Sequence, residues 1–275
     1  MHLRRVLGMV VLAASLALAG CATLRDDAGS VETYDPLEPM NRAVFRVNEV
    51  LDRSVIKPAA KGYRKVVPEF VRDRFRAFFN NLLEPRTFVN NLLQVRLNSA
   101  GMTFTRFLMN TTVGLGGLFD VASKHRLPRQ TGDFGQTLYM WGVGDGPYLV
   151  LPFFGPSNVR DAAGLGVDIY TAVYLNPLNP LVDDGHHLAV DLTLGVIDGV
   201  DLRARSIETL DAIEATSLDF YAQLRSISQQ HRRAELRKAR GLEDAPQRLI
   251  DPEAPDELID PEAPEEPIGP EAPER

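Results

Sequence analysis

The chain has a single cysteine among its 275 residues, Cys21, so a monomer can form no disulfide. Histidine is scarce too, five in all including His2. His186 and His187 follow Asp183-Asp184-Gly185, but adjacent residues on a helix point in different directions and no other histidine is near in sequence. A polar helix start is the expected role, and no metal is expected. No Gly-x-Ser-x-Gly nucleophile elbow occurs. The glycine clusters at 114–117 and 142–146 fit neither the dinucleotide fingerprint nor the P-loop, because no Lys-Ser/Thr pair follows them. These absences argue against an enzyme and against nucleotide or other cofactors. Charge is missing from three stretches. Phe134 to Val159 holds one charged residue, Asp145, and Phe107–Phe119 and Ile169–Val182 hold none. Gly142, Gly144, Gly146, Pro147, Pro152, Gly155 and Pro156 forbid a spanning helix in the first of these, yet Leu149 to Phe154 is too apolar for an ordinary solvated loop.

What is present begins at the N-terminus. Arg4 and Arg5 precede an uncharged run from Val6 to Leu24, the order of a secretory n-region and h-region. A retained membrane helix is the rival, since the run could just cross a hydrocarbon core. Leu18-Ala19-Gly20-Cys21 resembles the lipobox of bacterial lipoproteins, with the only cysteine at the one position the chemistry requires. Residues 1–20 then read as a lipoprotein signal peptide, Cys21 as the lipidation site and 21–34 as a tether. Several acyl chains at roughly 0.8 kcal/mol per buried methylene hold such an anchor in place where one would be marginal. Ala22, rather than Asp, follows the general rule for sorting to the outer membrane of a two-membrane cell.

At the other end, Leu249-Ile250-Asp251-Pro252-Glu253-Ala254-Pro255 recurs from Leu258 and, imperfectly, from Pro267. Dense prolines and acidic charge leave too little apolar surface to offset ordering entropy, so 241–275 reads as a disordered acidic Pro-rich tail. Residues 249–275 carry ten carboxylates against one arginine, a net of −9, and the whole chain carries −7. The remainder is therefore +2, and the acidic balance says nothing about partners of the folded body. Residues 35–240 suffice for one domain with a core.

The body reads as mainly helical, with Pro and Gly punctuating short helices. Pro68 opens a segment in which Val71, Phe75, Phe78 and Leu82 recur at helical steps. Ile207, Leu210, Ile213, Ser217, Phe220, Leu224 and Ile227 trace the clearest amphipathic stripe, which predicts one continuous helix. Residues 42–76 hold ten Lys and Arg against four Asp and Glu. A solvated face is the ordinary reading, and contact with lipid phosphates or an acidic partner the second. Ser157 or Asn158 is placed to cap the next helix, Arg160 and Asp161 to stand in its first turn, and Asn110-Thr111-Thr112 before Gly114 to end a helix.

Four stretches in order resemble the VacJ/MlaA family of lipoproteins: Asp35 to Arg42, Arg106 to Gly114 with Gly117 and Asp120, Phe134 to Asp161, and Leu218 to Arg233. The third is the most specific, with Phe134-Gly135-Gln136-Thr137-Leu138, Trp141-Gly142-Val143-Gly144, Gly146-Pro147-Tyr148, Leu151-Pro152 and Gly155-Pro156-Ser157. Tyr139 departs from the family's usual glycine, and the family often has an aromatic in place of Met40. The resemblance implies a single ring-like helical domain at the periplasmic face of the outer membrane, often beside a trimeric porin. It would remove mislocalised phospholipids from the outer leaflet through a passive channel and hand them to a periplasmic phospholipid carrier, preserving lipid asymmetry. No nucleic-acid partner is implied. The candidate lipid-path residues are Gly142, Gly144, Gly146, Pro147, Tyr148, Leu151, Phe153 and Phe154, with a buried core hairpin as the competing reading of the same segment. A structural lipoprotein bracing the envelope and a lipid-cleaving enzyme remain open as alternatives.

The anchor reading is checked by metabolic labelling. A Cys21→Ala precursor should take up no palmitate and should lose its outer-membrane fractionation, whereas normal labelling would mean that another group carries the lipid.

Overall fold

The computed structural model describes residues 35–178 and 186–242. The expected signal peptide, Cys21 and the tail repeats lie outside the described residues. The described part is mostly helical. In chain order it contains α1 (Glu38–Leu51), a π-helical turn (Asp52–Ile56), α2 (Lys57–Val66), α3 (Glu69–Leu93), α4 (Leu97–Thr112), the short α5 (Val121–Lys124) and α6 (Phe134–Met140). An antiparallel hairpin of β1 (Tyr148–Leu151) and β2 (Gly155–Asn158) follows, with Tyr148 opposite Asn158 and Leu151 opposite Gly155. Then come α7 (Val159–Leu175), α8 (His187–Arg205), α9 (Ile207–Thr216) and α10 (Phe220–Ala239).

Four carboxylate or amide side chains set helix starts. Asp120, Asp133, Asn158 and Asp219 each accept the backbone N–H three residues on, at 2.7 to 3.1 Å, which satisfies an orphan donor. Pro68 precedes α3 as its cap residue and α4 ends at Thr112, both as expected. The π-turn also has a local cause. Pro58 has no N–H and its ring crowds the carbonyl four residues back, so the ladder slips and Lys57 donates to Asp52, five residues earlier.

Two expectations fail. The 207–227 stripe is two helices, because Ser217 is extended (ψ 133°) and Asp219 caps a new start. Nor do prolines always punctuate: α3 runs for 25 residues through Pro85.

Packing closes on itself. The α1, π-turn and α2 run packs on α8, α8 on α7, α7 on β1, and β1 back on α1. This circuit agrees with a ring-like domain. Electrostatics tie it. Arg42 pairs with Asp219 (2.6 Å), Lys57 with Asp211 (2.8 Å), Arg203 with Asp52 (2.7 Å), and Arg53 and Arg64 with Glu214 and Glu208. Half of the ten basic residues in 42–76, Arg42, Arg53, Lys57, Arg64 and Arg76, therefore meet acidic partners within the chain itself. Where such pairs are exposed each contributes about 0–1 kcal/mol, so they set register more than stability.

The free edge of β1 is occupied by side chains. Asn41 Nδ2 donates to the Tyr148 carbonyl (3.0 Å) and Asn41 Oδ1 accepts from the Val150 N–H (2.9 Å); Asn48 does the same for Leu151 and Phe153. Seven residues apart on α1, the two amides act as a surrogate strand.

Between α3 and α4 the interior is polar. Asn81, Glu84, Thr87, Asn90 and Asn91 of α3 and its cap residue Gln94 are buried, as are Thr103, Arg106 and Asn110 of α4, with Asn90 and Gln94 turned toward α6 and α7. Arg106 Nε donates to Glu84 (3.2 Å), its Nη2 to Asp120 (3.2 Å), and its Nη1 to Ser123 (3.1 Å) and the Leu127 carbonyl. Asn81 donates to Thr111 (2.9 Å), Gln94 to Thr137 (2.9 Å), and Thr137 to Asn90 (2.8 Å). Burial pushes the Glu84 carboxyl above its usual value, an effect that Arg106 only partly offsets.

Removing one partner of a buried pair costs about 3–5 kcal/mol. Arg106→Leu should lose that much in urea unfolding at neutral pH. The lone Glu84, its folded pKa above the unfolded value, is stabilised by protonation, so the deficit relative to the parent should narrow as pH falls through that raised pKa. A loss under about 1 kcal/mol would mean that the seam is not holding the hairpin.

Candidate functional site

The outer surface of the α3–α4 hairpin is the reverse of its interior. Val89, Leu92 and Leu93 of α3 and Leu97, Phe104 and Leu108 of α4 are exposed, Phe104 by 48% and Leu108 by 45%. At one end of this face Trp141 is 57% exposed and donates its indole N–H to the Leu93 carbonyl (3.1 Å). At the other, Arg74 lies over the rings of Phe70 and Phe119, 5.0 and 4.8 Å from their centroids. Apolar skin over a polar seam inverts the arrangement of a water-soluble helix pair and suits an apolar surrounding, where polar groups must be satisfied inside. Aromatic and cationic side chains at its margins fit the boundary between lipid and water. Among the described residues no helix is long and apolar enough to cross a membrane.

The segment singled out by its lack of charge divides by role. Phe134–Met140 is α6. Gly142 follows its cap with φ +91°, and Gly142 N and Val143 N donate to the carbonyls of Tyr139 and Leu138. That pattern closes a helix end and favours glycine for its left-handed backbone. Tyr148 is 3% exposed and packs with Val150, Tyr221, Val44 and Phe45, and burial raises its phenol pKa to about 12. Most of the Tyr148 side chain is thus in the core, and with Asp145, Gly146 and Arg232 it also borders a second cavity of about 180 Å³. Leu151 is half-buried, while Phe153 and Phe154 at the hairpin turn are 76% and 62% exposed. Gly144 has open space where a Cβ would stand and an ordinary backbone. Gly146 has φ +67°, and a Cβ there would lie 3.1 Å from Val159, so a side chain would be strained. Pro147 accepts from the Val159 N–H through its carbonyl (3.2 Å), fastening the glycine-rich turn to α7.

Arginines hold this segment to its neighbours. Arg160, fully buried, pairs with Asp145 and with Asp161 (2.9 Å). Arg232 of α10 makes a fork to Asp133 (2.8 Å on both oxygens) and reaches Asp161 (3.0 Å). Burial pushes the Asp133 carboxyl up, but the Arg232 donors outweigh it and hold it below the usual carboxylate range. At Asp35 burial likewise opposes, and is outweighed by, donors from Tyr221, Arg225 and Asn41. Arg160 and Asp161 do stand in the first turn of α7, yet as buried structural ions.

One cavity of about 190 Å³ lies between α3, α7 and α8. Its lining is mostly apolar with Arg86, Asp191 and Asp198 reaching in. Burial pushes the Asp198 carboxyl up, ahead of the opposing pull of Arg205. Sequence reasoning passed over these three. The available signal was Asp191 and Asp198 seven apart on an otherwise apolar helix face, and Arg86 in an apolar run after Pro85. His186 and His187 stand at the start of α8, as expected of a polar helix start. No group of ligands suited to a metal is found among the described residues.

The pattern of the MlaA lipoprotein family matches residues 33–235. The chain is 36% identical over 209 residues to the intermembrane phospholipid transport system lipoprotein MlaA of Haemophilus influenzae, covering 74% of this chain and 80% of that one. It is 34% identical over 214 residues to the protein of the same name from Escherichia coli, covering 76% and 80%. An uncharacterized protein of Rickettsia felis is 39% identical over 212 residues, 76% of this chain and 81% of its own. A solved structure described as "Structural basis for maintenance of bacterial outer membrane lipid asymmetry" matches with a TM-score of 0.63 at 33% identity, covering 74% of this chain and 98% of that one. The chain belongs to the MlaA lipoprotein family.

Proposed function

We propose that this chain is an outer-membrane lipoprotein, anchored through Cys21 and facing the periplasm, that removes mislocalised phospholipids from the outer leaflet and passes them to a soluble periplasmic carrier, working beside a trimeric porin. The observation that carries the reading is the α3–α4 hairpin, polar within and apolar without, joined to a closed circuit of helices. Each exposed Leu or Phe on that face, already about half covered, stabilises by roughly 1 kcal/mol when the rest leaves water, so the hairpin is stabilised by lying in lipid. The names of the H. influenzae and E. coli relatives point the same way.

A passive route follows from energetics. A phospholipid's two chains hold about 30 methylenes, and moving them into water costs on the order of 20–25 kcal/mol. No nucleotide motif is present to supply that. The protein must offer an apolar path with a polar lane for the headgroup and leave net direction to the carrier. The charged groups at the rim of the apolar α3–α7–α8 cavity favour transport over bracing, which needs no such space. In the turn from Gly142 to Phe154, Gly144, Phe153 and Phe154 are the accessible candidates for the path, whereas Gly142, Gly146 and Tyr148 shape the turn that presents them.

Gly144 gives the cleanest test because a side chain there meets nothing and strains no backbone. Gly144→Leu should fold with its stability within about 0.5 kcal/mol of the parent, yet raise outer-leaflet phospholipid in cells. Normal lipid clearance with this stable variant would remove the turn from the path. Gly146→Leu, in contrast, should lose stability, since its left-handed backbone and Val159 both oppose a side chain.

A further inference from the structure

The cavity between α3, α7 and α8 has apolar walls from Phe79, Leu82 and Leu83 of α3, Ala172 and Leu175 of α7, and Leu194 of α8. Two polar atoms of residues that line it are buried and have no hydrogen bond among the described residues. Arg86 Nε donates to nothing, its neighbouring carboxylate on Asp168 being 3.9 Å away, and Asp191 Oδ2 accepts from nothing, although its Oδ1 takes the Asn176 amide. Each forfeits a hydrogen bond that water would have supplied. Here the two have opposite charge and come from opposite walls. Asp198 lies seven residues, about two turns, from Asp191 on the same face of α8, so the acidic wall extends over roughly 10 Å.

We propose that this cavity reads a zwitterionic phospholipid headgroup, its phosphate on Arg86 and its primary ammonium between Asp191 and Asp198. The inference rests on the lipid-path reading above and adds a substrate class to it. At about 190 Å³ the space is smaller than the roughly 300 Å³ at which pockets begin to enclose drug-sized ligands, so it takes a headgroup while the acyl chains stay outside. The chemistry narrows the choice further. A glycerol headgroup would leave two carboxylates facing a net negative lipid. A quaternary ammonium would satisfy their charge but donates no hydrogen bond to either carboxylate. Phosphoethanolamine supplies both the charge and the donor.

The test uses the full-length lipoprotein in detergent, incubated with equal amounts of phosphatidylethanolamine and phosphatidylglycerol, with retained lipid extracted and quantified by mass spectrometry. Phosphatidylethanolamine should be enriched about tenfold, the discrimination one charge-assisted hydrogen bond provides. Asp191→Asn, close to isosteric, should bring the ratio near one, Asp198→Asn should lower it, and Arg86→Gln should reduce retention of both lipids. Equal retention by the parent protein overturns the proposal while leaving the lipid path standing, and it does not depend on any variant folding. Unchanged selectivity in both folded aspartate variants overturns it as well. A parent protein that retains no lipid at all would overturn the lipid-path reading together with this one. Displacement by soluble glycerophosphoethanolamine at the same concentration as the lipid would also overturn it, since the chains would then contribute nothing.

Discussion

Buried polar side chains are stable only where most of their polar atoms find partners, and the seam between α3 and α4 comes close to that condition, leaving Asn81 Oδ1 and Glu84 Oε2 without one among the described residues. Arg106 alone reaches Glu84, Asp120, Ser123 and the Leu127 carbonyl, so it joins α3, α4, α5 and the chain beyond them. Because the seam takes up many polar residues of both helices, Val89, Leu92, Leu93, Leu97, Phe104 and Leu108 are left on the outer face. The same substitution pattern in water would expose a broad apolar surface of the kind that aggregates. Next to a bilayer it becomes the face by which the protein is held.

The rest of the domain is organised so that this hairpin need not close the circuit. Contacts run from α1 through α2, α8, α7 and β1 back to α1, and α3 joins from one side against α6, α7 and α8. Side-chain amides of Asn41 and Asn48 seal the open edge of the small sheet, and Arg232 locks α10 onto the starts of α6 and α7. The α3–α7–α8 cavity lies where the hairpin joins this circuit, with α3 as one wall and α7 and α8 as the others. The proposed route therefore depends on a rigid frame, and the Gly142 to Phe154 turn and the α3–α7–α8 cavity are the places where a passing lipid would meet specific side chains.

Much of this was legible in the sequence, and the reasons for the exceptions are physical. Local signals worked where a single residue decides the outcome: Pro68 before α3, Asn158 at the start of α7, Asn110 to Thr112 at the end of α4, His186 before α8. The 207–227 stripe misled because the same three- and four-residue spacing continues across Ser217, while one extended residue and the Asp219 cap suffice to start a new helix. Tyr148 read as a path residue by its setting among glycines, yet strand alternation turns it into the core. The basic run of residues 42–76 has an obvious charge, but several of its counter-charges, Asp201, Glu208, Asp211, Glu214 and Asp219, lie more than a hundred residues later. Arg86 and Asp191 were missed for the same reason. Only the fold brings them to one cavity.

The central claim is that the outward face of α3–α4 lies in lipid. Cys21 is the chain's only cysteine, and acylation would block it, so a nitroxide on Leu108→Cys, in the middle of that face, reports from one place. In proteoliposomes its relaxation should be enhanced mainly by oxygen, which partitions into hydrocarbon, and little by a water-soluble nickel chelate. A label on His231→Cys, whose native side chain on α10 is 75% exposed, should show the opposite ranking. Equal access of the nickel chelate to both labels would contradict the account.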